Sequence, residues 1–395
     1  RDIAKLKKFN FRYVILDESQ NIKNAISQTA QSVKELNSDH KLALSGTPIE
    51  NKLEELWSVF DFLMPGFLFN VAEFNYRYVT PIMERQDKTV EKHYNIEVLE
   101  KGELIFDSTN DYYRYSPSLL KYEDGSMDIW LSSPGNSSSQ WDYISYRHCD
   151  SEGNWSKEEI VLKPTVGSKD RCSVCDPGVI YFDGYYYLAY TATDYYEGNG
   201  SYNMAFVARS RNADGPFEKW NGSSWGGDPE PIIFYDGGKD NWGIGEVSFV
   251  IKDEDLFIYY SYIDVLDNYI GLCKADLCED WPLTIRNKGK VLYQNNHDSV
   301  DFVYDCYLDL FLAFSIGDRM SENSYLQVYV SENGKDFREA CSTKTMICDY
   351  AHNVGIAKDE CGWVDSSKDL LIAYAFGKNW GRWSTLLQPA CFFEE

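Results

Sequence analysis

Nowhere in its 395 residues does the chain carry Gly-x-x-x-x-Gly-Lys followed by Ser or Thr, the loop whose backbone N–H groups and Lys cradle nucleotide phosphates. It also has no apolar run of membrane-spanning length and no recognisable secretory leader. The first residue is Arg1 and not Met, so an upstream signal is not excluded and a cytoplasmic or a secreted location stays open. No membrane contact is expected. Histidine is scarce, with five residues in all. Cysteine is missing until Cys149, and the pairs Cys172/Cys175, Cys273/Cys278 and Cys341/Cys348 have no matching second halves, which argues against a paired zinc pattern. A domain of about 300 residues buries enough core to fold without disulfides, so reduced, buried thiols are the expectation.

Positive charge is scarce relative to negative, with 38 Lys+Arg against 62 Asp+Glu, and unevenly so. Residues 1–92 hold 13 Lys+Arg against 13 Asp+Glu, whereas the remainder holds 25 against 49 and so accounts for the whole net charge of −24. All 10 Cys, 10 of the 11 Trp and 27 of the 30 Tyr also lie beyond residue 92. A step of this size marks a domain boundary, dividing 1–92 from 93–395. The acidic part is a poor partner for nucleic acid, because neutralising phosphates needs clustered Lys and Arg. Its Tyr and Trp suit oligo- or polysaccharide, whose apolar ring faces stack on aromatics. Nothing in the sequence sets an oligomeric state.

In the first segment, Tyr13-Val14-Ile15-Leu16 is an apolar run that predicts a buried parallel strand, delivering Asp17-Glu18 to its carboxyl end, where open α/β sheets hold ligands. Leu42-Ala43-Leu44 predicts a second strand that runs into Ser45-Gly46-Thr47-Pro48. Leu53, Leu56, Trp57, Phe60 and Leu63 follow at helical spacing. The Asp17-Glu18-Ser19-Gln20 box, the box from Leu44 to Asn51 and the stretch from Glu55 to Phe67 together resemble the Swi/Snf family of helicase-like ATPases over about residues 1–88. The resemblance implies that Asp17 and Glu18 would serve Mg²⁺ and the attacking water, and that Ser45, Gly46 and Thr47 would couple hydrolysis to DNA movement. The phosphate cradle is missing from these 395 residues, as is the second lobe with its arginine finger. Mg²⁺ and ATP therefore belong only to a completed domain, and the expectation is a remnant without turnover.

From residue 112 a different pattern repeats: a small or acidic residue, an apolar strand, a Gly or Asp turn, then a Tyr-rich strand. The anchors are Ser116, Asp176, Glu246, Asp301 and His352, with steps of 60, 70, 55 and 51 residues. Four strands per step predict propeller blades. The fold expected is mainly β, a five-bladed β-propeller preceded by a partial α/β segment of P-loop ATPase type. The innermost strands of a propeller converge on a funnel, so three acids and a His at strand starts are candidates for one site.

Cys175-Asp176-Pro177-Gly178-Val179-Ile180, then Asp183-Gly184-Tyr185-Tyr186, with Glu246 70 residues after Asp176, resemble the five-bladed glycosidases around glycoside hydrolase family 43 over about residues 105–390. The resemblance implies hydrolysis of arabinan or xylan oligosaccharides by acid and base groups, roughly 6.5–9.5 Å apart in an inverting enzyme. Glu246 would be the acid and Asp176 would set its pKa. The family's early Asp-Pro base is missing; Asp301 is the first candidate to replace it and Asp111 the second. Ser116 and Trp242 are candidates for substrate contact. His352 is a candidate for binding a central ion or water, or for proton transfer. No cofactor is required, although a structural Ca²⁺ in the channel is compatible with the pattern. A glycan-binding propeller without catalysis is the alternative. The abrupt junction near Lys88 suggests a fusion of gene fragments.

Overall fold

A run of apolar residues sets the first strand, and the structure, a computed structural model, shows what they pack on. It describes residues 3–23, 27–45, 53–68, 74, 92–99, 102–108, 112–198, 200–293, 299–343, 348 and 350–395. They fall into two compact units, Arg1–Lys92 and His93–Glu395. In the first, the strand Asn10–Leu16 pairs in parallel with Asn37–Ala43, Ile15 opposite Leu42. Helices Gln28–Lys34 and Leu53–Leu63 accompany them, and the Ser27 hydroxyl caps the former by accepting the Ala30 N–H at 3.1 Å. Val14, Leu16 and Ala43 pack on Ala30, Val59 and Phe62. Among the described residues nothing covers the other sheet face, where Tyr13 is 55% and Ile15 57% exposed. The strand expected to be buried is therefore covered on one face only, since among the described residues the helices lie on a single side.

The second unit is mainly β. Four successive antiparallel groups begin at the strands Tyr115–Lys121, Ser173–Phe182, Gly243–Lys252 and Asp301–Asp305. A fifth, Ala351–Lys358, Leu370–Phe376 and Ser384–Glu394, takes its outer strands from the start of the unit, where Tyr94–Val98 and Glu103–Phe106 both pair with Ser384–Glu394. Aromatics fill the space between groups, as where Tyr259 stacks on Phe302 at 3.8 Å.

The inner strands share one irregularity. Cys175 pairs with Thr191 but Gly178 with Ala189, so three steps on the inner strand oppose two on its neighbour. The same shift lies between Tyr115 and Ser118, Gly245 and Ser248, and Ala351 and Val354. Each is a β-bulge, which re-aims the side chains it carries. The bulges hold Ser116, Asp176, Glu246 and His352. The first three are left-handed, with φ of 52°, 48° and 50°, a conformation that costs a non-glycine residue about 1–3 kcal/mol.

Hydroxyls on neighbouring groups hold these residues in place. The Asp176 N–H donates to Ser132 Oγ at 2.8 Å, and the Glu246 N–H to Thr191 Oγ1 at 2.9 Å. Approach of the strands is close: a Cβ on Gly178 would lie 1.8 Å from the Val247 carbonyl oxygen, and one on Gly355 1.9 Å from that of Pro117. Only glycine fits there.

The fourth group departs from the expected register. Its left-handed residue is Ser299, φ 56°, two positions before Asp301. Asp301 instead performs the latch of Ser118 and Ser248. Those hydroxyls accept Val179 N–H and Phe302 N–H, and Asp301 Oδ2 accepts Ile356 N–H at 2.8 Å.

The cysteines follow expectation in part. All ten thiols are free, with Cys149, Cys172, Cys175 and Cys273 buried, whereas Cys278 and Cys306 are exposed.

Thr191 is fully buried. Thr191→Val keeps its shape but leaves the Glu246 N–H without its acceptor, so the unfolding free energy should fall by about 1–3 kcal/mol in urea titration. An unchanged midpoint and slope would show that the latch contributes nothing.

Candidate active site

Three of the bulges open onto a cavity of about 510 Å³ in the second unit, which receives Asp176, Glu246 and His352. A third carboxylate, Asp142, enters from the start of the strand Gln140–Cys149, which bridges in parallel to Ser173. Asp142 is buried. Its Oδ1 accepts the Tyr113 hydroxyl at 2.5 Å and its Oδ2 accepts Ser173 Oγ at 2.9 Å. Burial, aided by the charge of Asp176, outweighs these two donors and pushes its pKa up to about 6. The Cys175 thiol donates to Asp176 Oδ2 at 3.3 Å, and burial beside two carboxylates holds that thiol well above its ordinary range. Glu246 Oε2 accepts both the Ser261 hydroxyl at 2.6 Å and the Ser299 N–H at 2.7 Å, which fixes the carboxylate plane.

The remaining wall is aromatic. His352 is buried, lies 4.6 Å from Trp383 and stacks on Tyr115 at 5.9 Å. Arg319 Nε donates to His352 Nδ1 at 2.8 Å. Burial and the adjacent guanidinium push the imidazole pKa well below its usual value, so His352 is neutral and accepts through Nδ1. Trp383 is buried, while Trp380 meets it edge-on at 4.9 Å and is 77% exposed. Trp141 and Trp242 complete the rim. Asn353, 1% exposed, lines the same cavity, and its Oδ1 has no hydrogen-bond donor among the described residues. A buried acceptor of this kind is satisfied at low cost by a ligand hydroxyl.

The structure therefore brings together Asp176, Glu246, His352 and Trp242 among the residues expected from sequence. Ser116 and Asp301 lie elsewhere, in a narrow channel of about 20 Å³ that Asp176 and Glu246 also touch. Asp301 is tied there by Lys358 at 2.7 Å, Ser248 at 2.6 Å and two backbone N–H groups. A carboxylate so fully engaged has little capacity to activate water. Asp111 is outside the described residues. As to the possible channel Ca²⁺, the described residues contain no group of three or more His, Cys, Asp or Glu side chains placed to hold a metal ion. In the first unit, Asp17 and Glu18 are exposed, with Glu18 left-handed at φ 53°, and Ser45 is half-buried. Gly46 and Thr47 lie outside the described residues.

Asp142 and Arg319 escape a reading confined to the starts of inner strands. Asp142 stands on a third strand after a polar turn, where a lone acid reads as a cap. Arg319 follows Asp318 in a surface turn.

Comparison with known proteins divides the chain in the same way. A family model of the SNF2-related domain matches residues 1–98. The TATA-binding protein-associated factor MOT1 of Saccharomyces cerevisiae is 48% identical over 99 residues, covering 25% of this chain and 5% of that protein. The putative ATP-dependent helicase/translocase YwqA of Bacillus subtilis is 44% identical over 87 residues, covering 22% of this chain and 9% of that protein. The chain thus spans only a small fraction of the curated relatives it matches. Among solved structures, Zg3597, a family 117 glycoside hydrolase of Zobellia galactanivorans, has a TM-score of 0.52 at 17% identity, covering 76% of this chain and 90% of that one. The α-L-arabinofuranosidase PaAbf62A of Podospora anserina, in complex with cellotriose, has a TM-score of 0.52 at 11% identity, covering 76% and 96%. The chain is similar in sequence to Swi/Snf-type helicases over its first quarter, and over most of its length it has the fold of these glycoside hydrolases.

Proposed function

We propose that the unit His93–Glu395 is a five-bladed β-propeller that hydrolyses plant-type glycans, arabinan or xylan oligosaccharides, by inverting acid/base chemistry. One observation carries this reading: Asp142, Asp176 and Glu246 meet in a single cavity walled by Trp and Tyr. Three convergent carboxylates suit proton transfer at a glycosidic oxygen, and aromatic faces suit sugar rings. In this assignment Glu246 donates the proton and Asp176 sets its pKa, roles carried over from the family resemblance. Asp142 takes the base role first given to Asp301. It faces the cavity, it is ionised above about pH 6, and its Tyr113 and Ser173 donors hold it in one orientation. Asn353 Oδ1 offers an acceptor for a sugar hydroxyl, and the neutral His352, oriented by Arg319, is a further polar contact. Residues 1–98, with no phosphate-binding loop in these 395 residues, contribute no ATP turnover by themselves.

Hydrolysis of aryl arabinofuranosides, aryl xylosides and the matching oligosaccharides tests the reading. Glu246→Gln should lower kcat by about 10²–10⁴-fold, the usual contribution of a general acid, while oligosaccharide binding is retained. As a base, Asp142 requires the wild-type rate to rise as pH increases through about 6, and Asp142→Asn should abolish that limb. Binding without hydrolysis by the wild type would instead make the unit a glycan-binding propeller.

Stability gives a second check that needs no substrate. The folded pKa of Asp142 is raised from 3.8 to about 6, so its proton is bound more tightly in the folded chain. Its stabilising contribution is complete below the unfolded pKa and is lost as pH rises through about 6. A shift of about two units corresponds to about 3 kcal/mol. Between pH values below and above this window the wild type should lose about that much relative to Asp142→Asn. Parallel stability curves for the two proteins would contradict the assigned titration.

A further inference from the structure

On the second unit, away from the carboxylate cavity, a groove of about 450 Å³ lies between the third and fourth groups. Lys274, Arg286 and Lys288 line it from the third group, and Asn333 and Lys335 from a turn of the fourth. Four cations face one carboxylate, Asp255, although acids outnumber bases 49 to 25 beyond residue 92. The two deeper cations are already paired. Asp255 holds Lys274 at 3.0 Å and Arg286 at 3.4 Å, and Asp276 takes Arg286 at 2.8 Å. Lys288 and Lys335 are exposed, and neither is in an ion pair among the described residues.

The walls of the groove are fixed by contacts within and between the two groups. Asn333 Oδ1 accepts the Lys335 and Asp336 N–H groups, each at 2.9 Å, which shapes the turn. The hydroxyl of Tyr259, itself fully buried, donates to the Gly334 carbonyl at 2.8 Å and pins that turn to the third group. The Lys274 ammonium lies 3.8 Å over the Phe257 ring, which anchors the opposite wall. Two free ammonium groups therefore stand on separate, braced elements on either side of one groove.

We propose that this groove is a second binding site, taking a small ligand with two or three oxyanion charges of phosphate or carboxylate type. Ammonium groups bind such oxygens through charge-assisted hydrogen bonds. The size of the ligand follows from the charge around it. A long polyanion would run beyond this local positive patch along a unit in which acids outnumber bases 49 to 25, whereas a ligand of two or three charges ends within the groove.

Isothermal titration of the whole chain with inorganic pyrophosphate and with digalacturonate tests this, with Lys288→Glu/Lys335→Glu as the disruptive variant and Lys288→Arg/Lys335→Arg as the charge-conserving one. At least one probe should bind the wild type and the Arg variant at one site, more weakly as salt is raised. Its dissociation constant should rise at least about tenfold in the Glu variant. Binding of pyrophosphate alone assigns phosphate chemistry, and binding of digalacturonate alone assigns an acidic sugar. Failure of both probes, or undiminished binding by a Glu variant with an unchanged melting curve, would overturn the proposal. Either result leaves the reading of the carboxylate cavity untouched.

Discussion

Everything at the carboxylate cavity depends on a backbone donor handed from one group of strands to the hydroxyl of the next. Asp176 and Glu246 sit in left-handed conformations that the isolated chain would avoid, and the bulges that hold them there survive because Ser132 and Thr191 accept their N–H groups. Gly178 and Gly355 let adjacent inner strands approach until any side chain there would collide with a carbonyl oxygen. Local strain is thus offset by contacts between groups, and the strained positions carry the Asp176 and Glu246 side chains into one cavity.

Once those carboxylates converge, burial and mutual charge govern their chemistry. Asp142 is raised to about 6 because it is buried near Asp176, and two hydroxyl donors are not enough to reverse the effect. Asp301 is an instructive contrast. It is also acidic and lines the narrow channel that Asp176 and Glu246 touch, but Lys358 and two backbone N–H groups consume its lone pairs and make it a structural tie. The type of residue does not separate these two roles. Their partners do.

How much of this was legible in the sequence depended on periodicity. The repeat of apolar strand, turn and Tyr-rich strand gave the inner strands, and four of its five anchors fall on equivalent bulge positions. The remaining anchor, Asp301, stands two residues off, because Val300-Asp301-Phe302 resembles the other anchors while the left-handed position belongs to Ser299. Asp142 could not be found by that route, since it lies on a different strand and becomes significant only through Tyr113 and Ser173, distant from it by 29 and 31 positions. The closure of the last group by Tyr94–Val98 and Glu103–Phe106 likewise rests on contacts between the two ends of the unit, which no local pattern announces. In the first unit the strand and helix were plain from apolar spacing, but the exposure of Tyr13 and Ile15 was not, because pattern alone does not reveal whether a covering layer is present.

The claim that most needs testing is that the cavity of Asp142, Asp176 and Glu246 is where a glycan binds. Crystals soaked with arabinotriose or xylotriose address it directly. The account predicts a sugar ring against the Trp wall, with hydroxyl or glycosidic oxygens within hydrogen-bonding distance of Glu246 and Asp142. Ordered sugar bound elsewhere on the unit, with the carboxylate cavity holding none, would contradict it.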